Sequence, residues 1–331
     1  MSKVARLQKA EGPDHIRIVD EEVGQPGKGE VRVSMRAAGL NRAEWLFMHG
    51  QYFETPKPDS LIGMEGAGVV EAIGEGVSNV KPGDEVCIYP TFSCSTYGVL
   101  GESVIIPDHA LVAKPENVSF AEAAAIGMAY PTVYGGLVTM GGLKSGDTAV
   151  ITAASSGVGL AGVQVAKAHG AKVIATSRSR AKADIIKAAG ADHVIATDEE
   201  ILAERIMEIT GGKGFDVAID PVSGPFLEML ANAAAHEARI IEYGALSMAP
   251  VNFPLFPAIA KGLRVIGFHV CWNLFDFPDR REAAAADINK HISSGVYRPK
   301  LDKEFTLAQT ADAYRYLASN AQEGKVIIRF D

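Results

Sequence analysis

Cysteine is scarce in this 331-residue chain, and the three present, Cys87, Cys94 and Cys271, are odd in number and far apart. That argues against a disulfide framework and against a zinc knuckle, and leaves buried or incidental thiols. No uninterrupted apolar run is long enough for a membrane helix. The start, MSKVARLQKAEGPDHIRIVDEEVG, has no apolar stretch behind a basic head, so the chain is expected to work in the cytoplasm, without a membrane partner. Positive charge is also short: 32 Lys and Arg against 40 Asp and Glu give a formal net charge of −8. A chain of that balance is repelled by nucleic acid phosphates and anionic lipid, so the expected partner is a small molecule. Repeats and low-complexity segments are missing. The eight histidines form no constellation: His15, His109, His193 and His236 stand in surface-like segments, and His49 and His269 have no assigned role.

What is present is a chain long enough for two domains, with 47% hydrophobic and 22% charged residues, as in ordinary globular proteins. Up to about residue 120 it is strand-rich, with runs such as EVRVSMRAAG, GAGVVEAIGEGV and GESVIIPDHALVAKP set off by Gly/Pro turns including KPGDEV. These predict a β-rich, partly open barrel-like domain. From about residue 146 apolar strands, DTAVITAA, AKVIATS, DHVIAT, FDVAID, ARIIEYG and LRVIGFHV, alternate with helical stretches. Such alternation predicts an α/β fold with a doubly wound, parallel, six-stranded (Rossmann) sheet covered on both faces. A helix is expected in PDRREAAAADINKHISSG, and the tail reads as a helix followed by a strand that rejoins the first domain. The expected division is 1–123 for the β-rich domain, 124–296 for the dinucleotide domain and 297–331 for the return segment, with a cleft between the two domains.

The stretch ITAASSGVGLAG (151–162) carries the first strand into a helix marked by Leu160, Val163 and Ala166. Small residues also fill turns that bind nothing. At the first strand of a six-strand array, however, they let backbone N–H groups approach a pyrophosphate at a helix N-terminus. Ala154, Ser155, Ser156, Gly157, Val158 and Gly159 are therefore cofactor candidates, Ser156 standing where a glycine is expected. About 20 residues on, where an acidic residue reads free ribose hydroxyls, the sequence has Ser177, followed by Arg178, Arg180 and Lys182. With no carboxylate to repel a 2′-phosphate and Arg178 able to bind it, NADPH is expected over NADH; the alternative is a solvated, basic helix start.

AAGLNRAEWLFMHGQYF (37–53), LIGMEGAGVVEAIGEGV (61–77), KPGDEV (81–86), AASSGVGLAGVQVAK (153–167), FDVAIDPVSGP (215–225) and EGKVII (323–328) together resemble the medium-chain dehydrogenase/reductase superfamily over nearly the whole chain. Within it, the resemblance is to the zinc-independent quinone oxidoreductase and enone reductase branch, whose first domain is GroES-like. Where metal-dependent members carry a Cys, His, Cys set, the matching positions are Asn41, Met64 and Met128, which are not zinc ligands. The cysteine-rich lobe that holds structural zinc in those relatives is replaced by TFSCSTYG, so no metal is expected.

Without a Lewis acid, hydride transfer is feasible to acceptors that already spread negative charge, such as quinones and α,β-unsaturated carbonyls. The resemblance implies that Asn41 lies near the nicotinamide and that Tyr52 acts at the substrate as hydrogen-bond donor or acid. The alternatives are a turn cap for Asn41 and loop packing for Tyr52. Fold analogy adds Tyr243 and Gly244 at the nicotinamide, with Thr132 and Lys325 as further cofactor candidates. Trp45 and Leu46 depart from relatives that carry a second aromatic after the asparagine. Reduction of an enoyl thioester on coenzyme A or a carrier protein is the rival activity, and NADPH binding without turnover, as a sensor or structural protein, the non-enzymatic one. A homodimer through the last sheet strand is implied by the superfamily habit.

Overall fold

A computed structural model describes residues 1–330. Two compact units divide the chain, one formed by Met1–Met128 and the stretch from Pro299 onward, the other by Ala129–Arg298. The sequence reading puts these boundaries a few residues earlier in each case. None of the helices among the described residues is long and apolar enough to cross a membrane.

The first unit is the β-rich one, and its strands are β1 (Ser2–Leu7), β2 (Ile16–Glu21), β3 (Glu30–Gly39), β4 (Ser60–Leu61), β5 (Glu65–Ile73), β6 (Glu85–Ile88), β7 (Ser103–Pro107) and β8 (Leu111–Ala113). Two short helices, α1 (Arg42–Met48) and α2 (Phe120–Ala123), interrupt or follow them. In β3, Val31, Val33 and Met35 alternate inward with period two, which is why EVRVSMRAAG makes a strand with one face in the core. β3 is the hinge of the sheet, pairing antiparallel with β5, with β7 and with a strand from the C-terminal stretch. Gly68 of β5 sits so close to β3 that an added Cβ would collide with the Ser34 carbonyl oxygen.

The second unit runs α3 (Ala129–Val133), β9 (Thr148–Ile151), α4 (Gly157–Ala168), β10 (Lys172–Ser177), α5 (Ala183–Ala188), β11 (His193–Ala196), α6 (Leu202–Ile209), β12 (Phe215–Asp220), α7 (Pro225–Ala233), β13 (Ala234–Glu242), α8 (Leu255–Lys261), β14 (Arg264–Gly267) and α9 (Pro278–Ser293). All six expected strands form, in the parallel order β11-β10-β9-β12-β13-β14. The order reverses between β9 and β12, and ligands of doubly wound sheets bind at the carboxyl ends beside such a switch point. On one face Val150, Ile174, Ala218 and Ile240 pack with Leu202 and Ile206 of α6 and with Leu227 and Leu230 of α7.

Returning to the first unit, the chain forms β15 (Leu301–Thr306), α10 (Thr310–Ala318) and β16 (Lys325–Arg329). The sequence reading has only the helix and the last strand. β15 escapes it because LDKEFT buries just Phe305, so the polar run carries no alternating signal, yet its backbone pairs parallel with β16. β16 in turn pairs antiparallel with Ala37, Ala38 and Gly39 of β3. Gly68→Ala is expected to destabilise this unit by about 1–3 kcal/mol, as overpacking against backbone does. A lower urea midpoint with an unchanged slope is the outcome to look for.

Candidate active site

Strand β9 ends at Ile151, and the next residues fold over its carboxyl end. Ala153 adopts φ of +46°, a left-handed conformation that turns the chain. Ser156 is the N-cap of α4: its hydroxyl accepts from the Gly159 N–H at 3.0 Å. The side chain at the position where glycine was expected therefore starts the helix, while the N–H groups of Gly157 and Val158 head it. Gly159 cannot be larger, since a Cβ there would lie 2.5 Å from the Ala153 carbonyl oxygen. One turn on, Gly162 brings α4 down onto Ile151. Ala154 differs from its neighbours: it is fully buried and its N–H donates to the Thr176 carbonyl at 2.8 Å, which locks the turn to β10. Ser155, Ser156, Gly157 and Val158 are half-buried and line the rim. The result is a short, small-residue cradle facing the positive end of a helix, which fits a pyrophosphate.

At the end of β10, Ser177 is buried and its carbonyl accepts from the Thr197 N–H at 2.9 Å. The residue at this position is a serine and not an acid. Arg178 is exposed, and Lys182 is half-buried. Arg180, by contrast, is held by Glu199 at 2.8 Å and by Glu200 at 3.4 Å, so its charge is balanced locally. Arg178 and Lys182 are further cationic side chains at this edge.

Across the switch point lies a pair of acids that the sequence reading did not single out. Asp220 ends β12 and Glu242 ends β13, and the two are direct partners in the parallel register. Asp220 is fully buried; its Oδ1 accepts from the Thr152 hydroxyl and from the Val222 N–H at 2.9 Å, and its Oδ2 from the Ser223 N–H at 2.8 Å. Burial pushes its carboxyl up, and those three donors oppose the shift. Glu242 has no comparable set: neither buried carboxylate oxygen makes a well-formed hydrogen bond. Burial first, and then the Asp220 charge, push Glu242 up to about 8, with the Ser223 side chain a partial offset. Both strands are apolar runs with an acid at the carboxyl end, and that repeated placement was the available signal. Tyr243 follows, half-buried, its phenol pushed up by burial and by Asp220. Gly244 is exposed, and Thr132 is buried in α3.

In the first unit the expected site residues meet a buried polar cluster. Asn41 is the N-cap of α1 in a capping box, its N–H donating to Glu44 Oε2 at 3.0 Å. Its amide Nδ2 donates to Glu65 Oε1 at 3.0 Å and to the Gly39 carbonyl at 3.3 Å, and its Oδ1 accepts from Lys325 Nζ at 2.6 Å. Lys325 also forms an ion pair with Glu65. The second Glu65 oxygen accepts from the Met128 N–H, and Glu44 from the Met64 N–H, each at 2.8 Å. Tyr314 of α10 completes the set, its hydroxyl donating to Glu44 Oε2 at 2.7 Å. Burial pushes Glu44 up, opposed by Tyr314, the Asn41 N–H and Lys325. Asn41, Met64 and Met128, the positions of the metal-ligand set in zinc-dependent relatives, thus do converge, around two carboxylates and an ammonium. Asn41 has the cap role, and Lys325 faces this cluster.

Tyr52 lies in a bend after α1, half-buried against the core, its ring 5.3 Å from that of the 71% exposed Phe53. His49 is built into the fold, its Nδ1 2.7 Å from the Trp45 carbonyl and its ring against Gly12. Removing Lys325 strands a buried anion, so Lys325→Met is expected to cost about 3–5 kcal/mol, and adding Glu65→Gln to recover part of that loss. Ser156→Ala should cost only about 1 kcal/mol, the value of an N-cap. Thermal unfolding of the three variants measures both.

Two family models match: the zinc-binding dehydrogenase model over residues 157–286 and the alcohol dehydrogenase GroES-like domain model over residues 27–116. A quinone oxidoreductase of Pseudomonas aeruginosa is 30% identical over 328 residues, 99% of each chain. The solved quinone oxidoreductase of Escherichia coli, complexed with NADPH, superposes with a TM-score of 0.90 at 28% identity, covering 99% of this chain and all of that one. A structure described as an NAD-dependent alcohol dehydrogenase is similar too, with a TM-score of 0.88 at 28% identity over 99% of this chain and all of that one. Full-length similarity at this level makes the chain a member of the quinone oxidoreductase branch of the medium-chain dehydrogenase/reductase superfamily.

Proposed function

We propose that the chain is an NADPH-dependent reductase that transfers hydride to quinones or α,β-unsaturated carbonyls without a metal ion. The observation that carries this reading is the buried Lys325–Glu65–Asn41 cluster. A divalent ion there would meet a fixed ammonium, a carboxamide already bonded on both sides, and two methionines that turn their N–H groups to the carboxylates. Thioethers and a carboxamide are poor zinc ligands, so this donor set does not fit the ion. Losing a Lewis acid removes several kcal/mol of stabilisation from a developing alkoxide, and simple alcohols and ketones become poor substrates. Conjugated acceptors delocalise the charge themselves, and a hydrogen-bond donor suffices.

The residues fit the cofactor. The cradle at 155–159 receives the pyrophosphate through backbone N–H groups and the helix end, and Arg178 with Lys182 pairs with the 2′-phosphate. NADPH, when bound, supplies the hydride. Tyr52 keeps its proton at neutral pH, so it donates to the acceptor oxygen as negative charge develops, directly or through a water. Tyr243 and Gly244, at the carboxyl end of β13, border the nicotinamide side. The working compartment is the cytoplasm.

A second copy is the expected partner. β14 is the edge strand of the six-stranded sheet, and beside it in sequence α8 buries none of its residues, with Phe256 83% and Ile259 71% exposed. Val251 and Phe253 are exposed in the same stretch. An unpaired edge next to exposed apolar side chains suits a homodimer.

Four measurements test the reading. Tyr52→Phe is expected to lower kcat for an enone about 10- to 100-fold, the range of lost acid catalysis. Unchanged kcat removes the role. Titration with both dinucleotides should favour NADPH, and Arg178→Ala should erase that preference; a clear preference for NADH overturns the assignment. Consumption of NADPH across quinones, enals, enones and enoyl thioesters identifies the acceptor, with thioester-only turnover pointing to the rival activity and binding without turnover to a sensor. In light scattering the chain should be a dimer, and Phe256→Glu with Ile259→Glu a monomer.

A further inference from the structure

Beyond the end of β13 the chain stays bound to the end of β12. The Tyr243 N–H donates to the Asp220 carbonyl at 3.1 Å, the Leu246 N–H to the Pro221 carbonyl at 2.8 Å, and the Ser247 N–H to the Val222 carbonyl at 3.0 Å. The contact is close: a Cβ on Gly224 would lie 2.5 Å from the Ser247 hydroxyl. This turn, residues 243–248, is otherwise an exposed stretch, and the Asp220–Glu242 pair is at its base. The pair is asymmetric. Three donors converge on Asp220, and Glu242, one ladder step away, has only the partial offset of the Ser223 side chain and no well-formed hydrogen bond. On its other side Glu242 pairs with Gly267 of β14, which offers no side chain. Asp220 is the charged group that acts on Glu242; Thr152 and Ser223 are neutral, and the Tyr243 phenol keeps its proton.

Resting on the reading that a dinucleotide lies at the carboxyl end of this sheet, we infer that Glu242 is a proton-gated positioning residue: carrying its proton, it keeps the 243–248 turn laid against residues 220–224, and without it, repulsion from Asp220 releases the turn and weakens dinucleotide binding. The donors stabilise the Asp220 anion, so the one shared proton resides on Glu242. Burial and Asp220 set its loss at about pH 8. A binding form confined to protonated Glu242 loses affinity in proportion to its population, about tenfold at one pH unit above that midpoint. The direction is fixed: affinity is full below pH 7 and falls as the pH rises through 8.

The test is NADPH affinity, read by fluorescence quenching from pH 6.5 to 9.5, for the wild-type chain and for Glu242→Gln. The dissociation constant of the wild type should rise about tenfold from pH 7 to pH 9, and that of Glu242→Gln should change less than about twofold. A flat wild-type profile, or equal losses in both proteins, overturns the inference. No binding even at pH 6.5 is instead a failure of the cofactor reading, and the gate is then read without NADPH. Amide hydrogen exchange at Leu246 and Ser247 in the wild type, corrected for intrinsic base catalysis, should accelerate about tenfold relative to Val150 from pH 7 to pH 9. Protection at those two amides that stays level with Val150 overturns the gate on its own.

Discussion

The ion pair between Lys325 and Glu65 is the constraint on which the first unit depends. The two residues are 260 positions apart, and Lys325 and Asn41 are 284 apart, so the cluster forms only when the chain has left this unit, built the other and come back. Burying two charges costs several kcal/mol per ion unless their remaining hydrogen-bonding capacity is met. Here it is met from every side: Asn41 bridges the pair, Met128 caps the far oxygen of Glu65, and Glu44 is held by Met64, Tyr314 and the Asn41 N–H. Gly39 is part of the same solution, because a side chain there would collide with the Ala124 carbonyl oxygen and lie 2.7 Å from the Lys325 stem. Pairing of β16 with β3 and formation of the cluster are one event seen in backbone and in side chains.

The same arrangement explains why the site was only half legible in the sequence. The inner parallel strands are apolar runs because both their faces are covered, and the turn after β9 is small-residued because Gly159 touches backbone; both are local causes, and local causes leave local patterns. Thus the six strands of the second unit and the small-residue turn after the first of them could be read in advance. β15 could not, since a strand whose outer face is solvated and polar has no periodicity to detect. Nor could the convergence of Glu44, Glu65, Tyr314 and Lys325, which come from four separate stretches of chain. Ser156 is instructive in a different way. Its departure from glycine weakened the motif on paper, yet in place its hydroxyl performs the capping that a glycine leaves to water.

Asn41 caps α1, and its side chain is also engaged inside the protein through both amide partners and the carbonyl acceptor. Its contribution is to hold the ammonium and carboxylate together and to start α1, after which Tyr52 follows in the bend. Loss of Asn41 therefore reaches the chemistry through the stability of this unit. Tyr52 packs half-buried against the core, its ring beside the exposed Phe53.

Buried carboxylates in the two units are neutralised by different means, and the difference has consequences. Glu65 meets a cation and two N–H donors. Asp220 takes the donors at the end of β12, which leaves Glu242 with desolvation and a like charge, and a carboxyl in that position is buried by keeping its proton. A carboxyl neutralised by a proton makes its surroundings depend on pH near the midpoint of its own titration. The inferred sensitivity to mild alkali therefore lies in the second unit, at the end of the sheet where its strands deliver their turns.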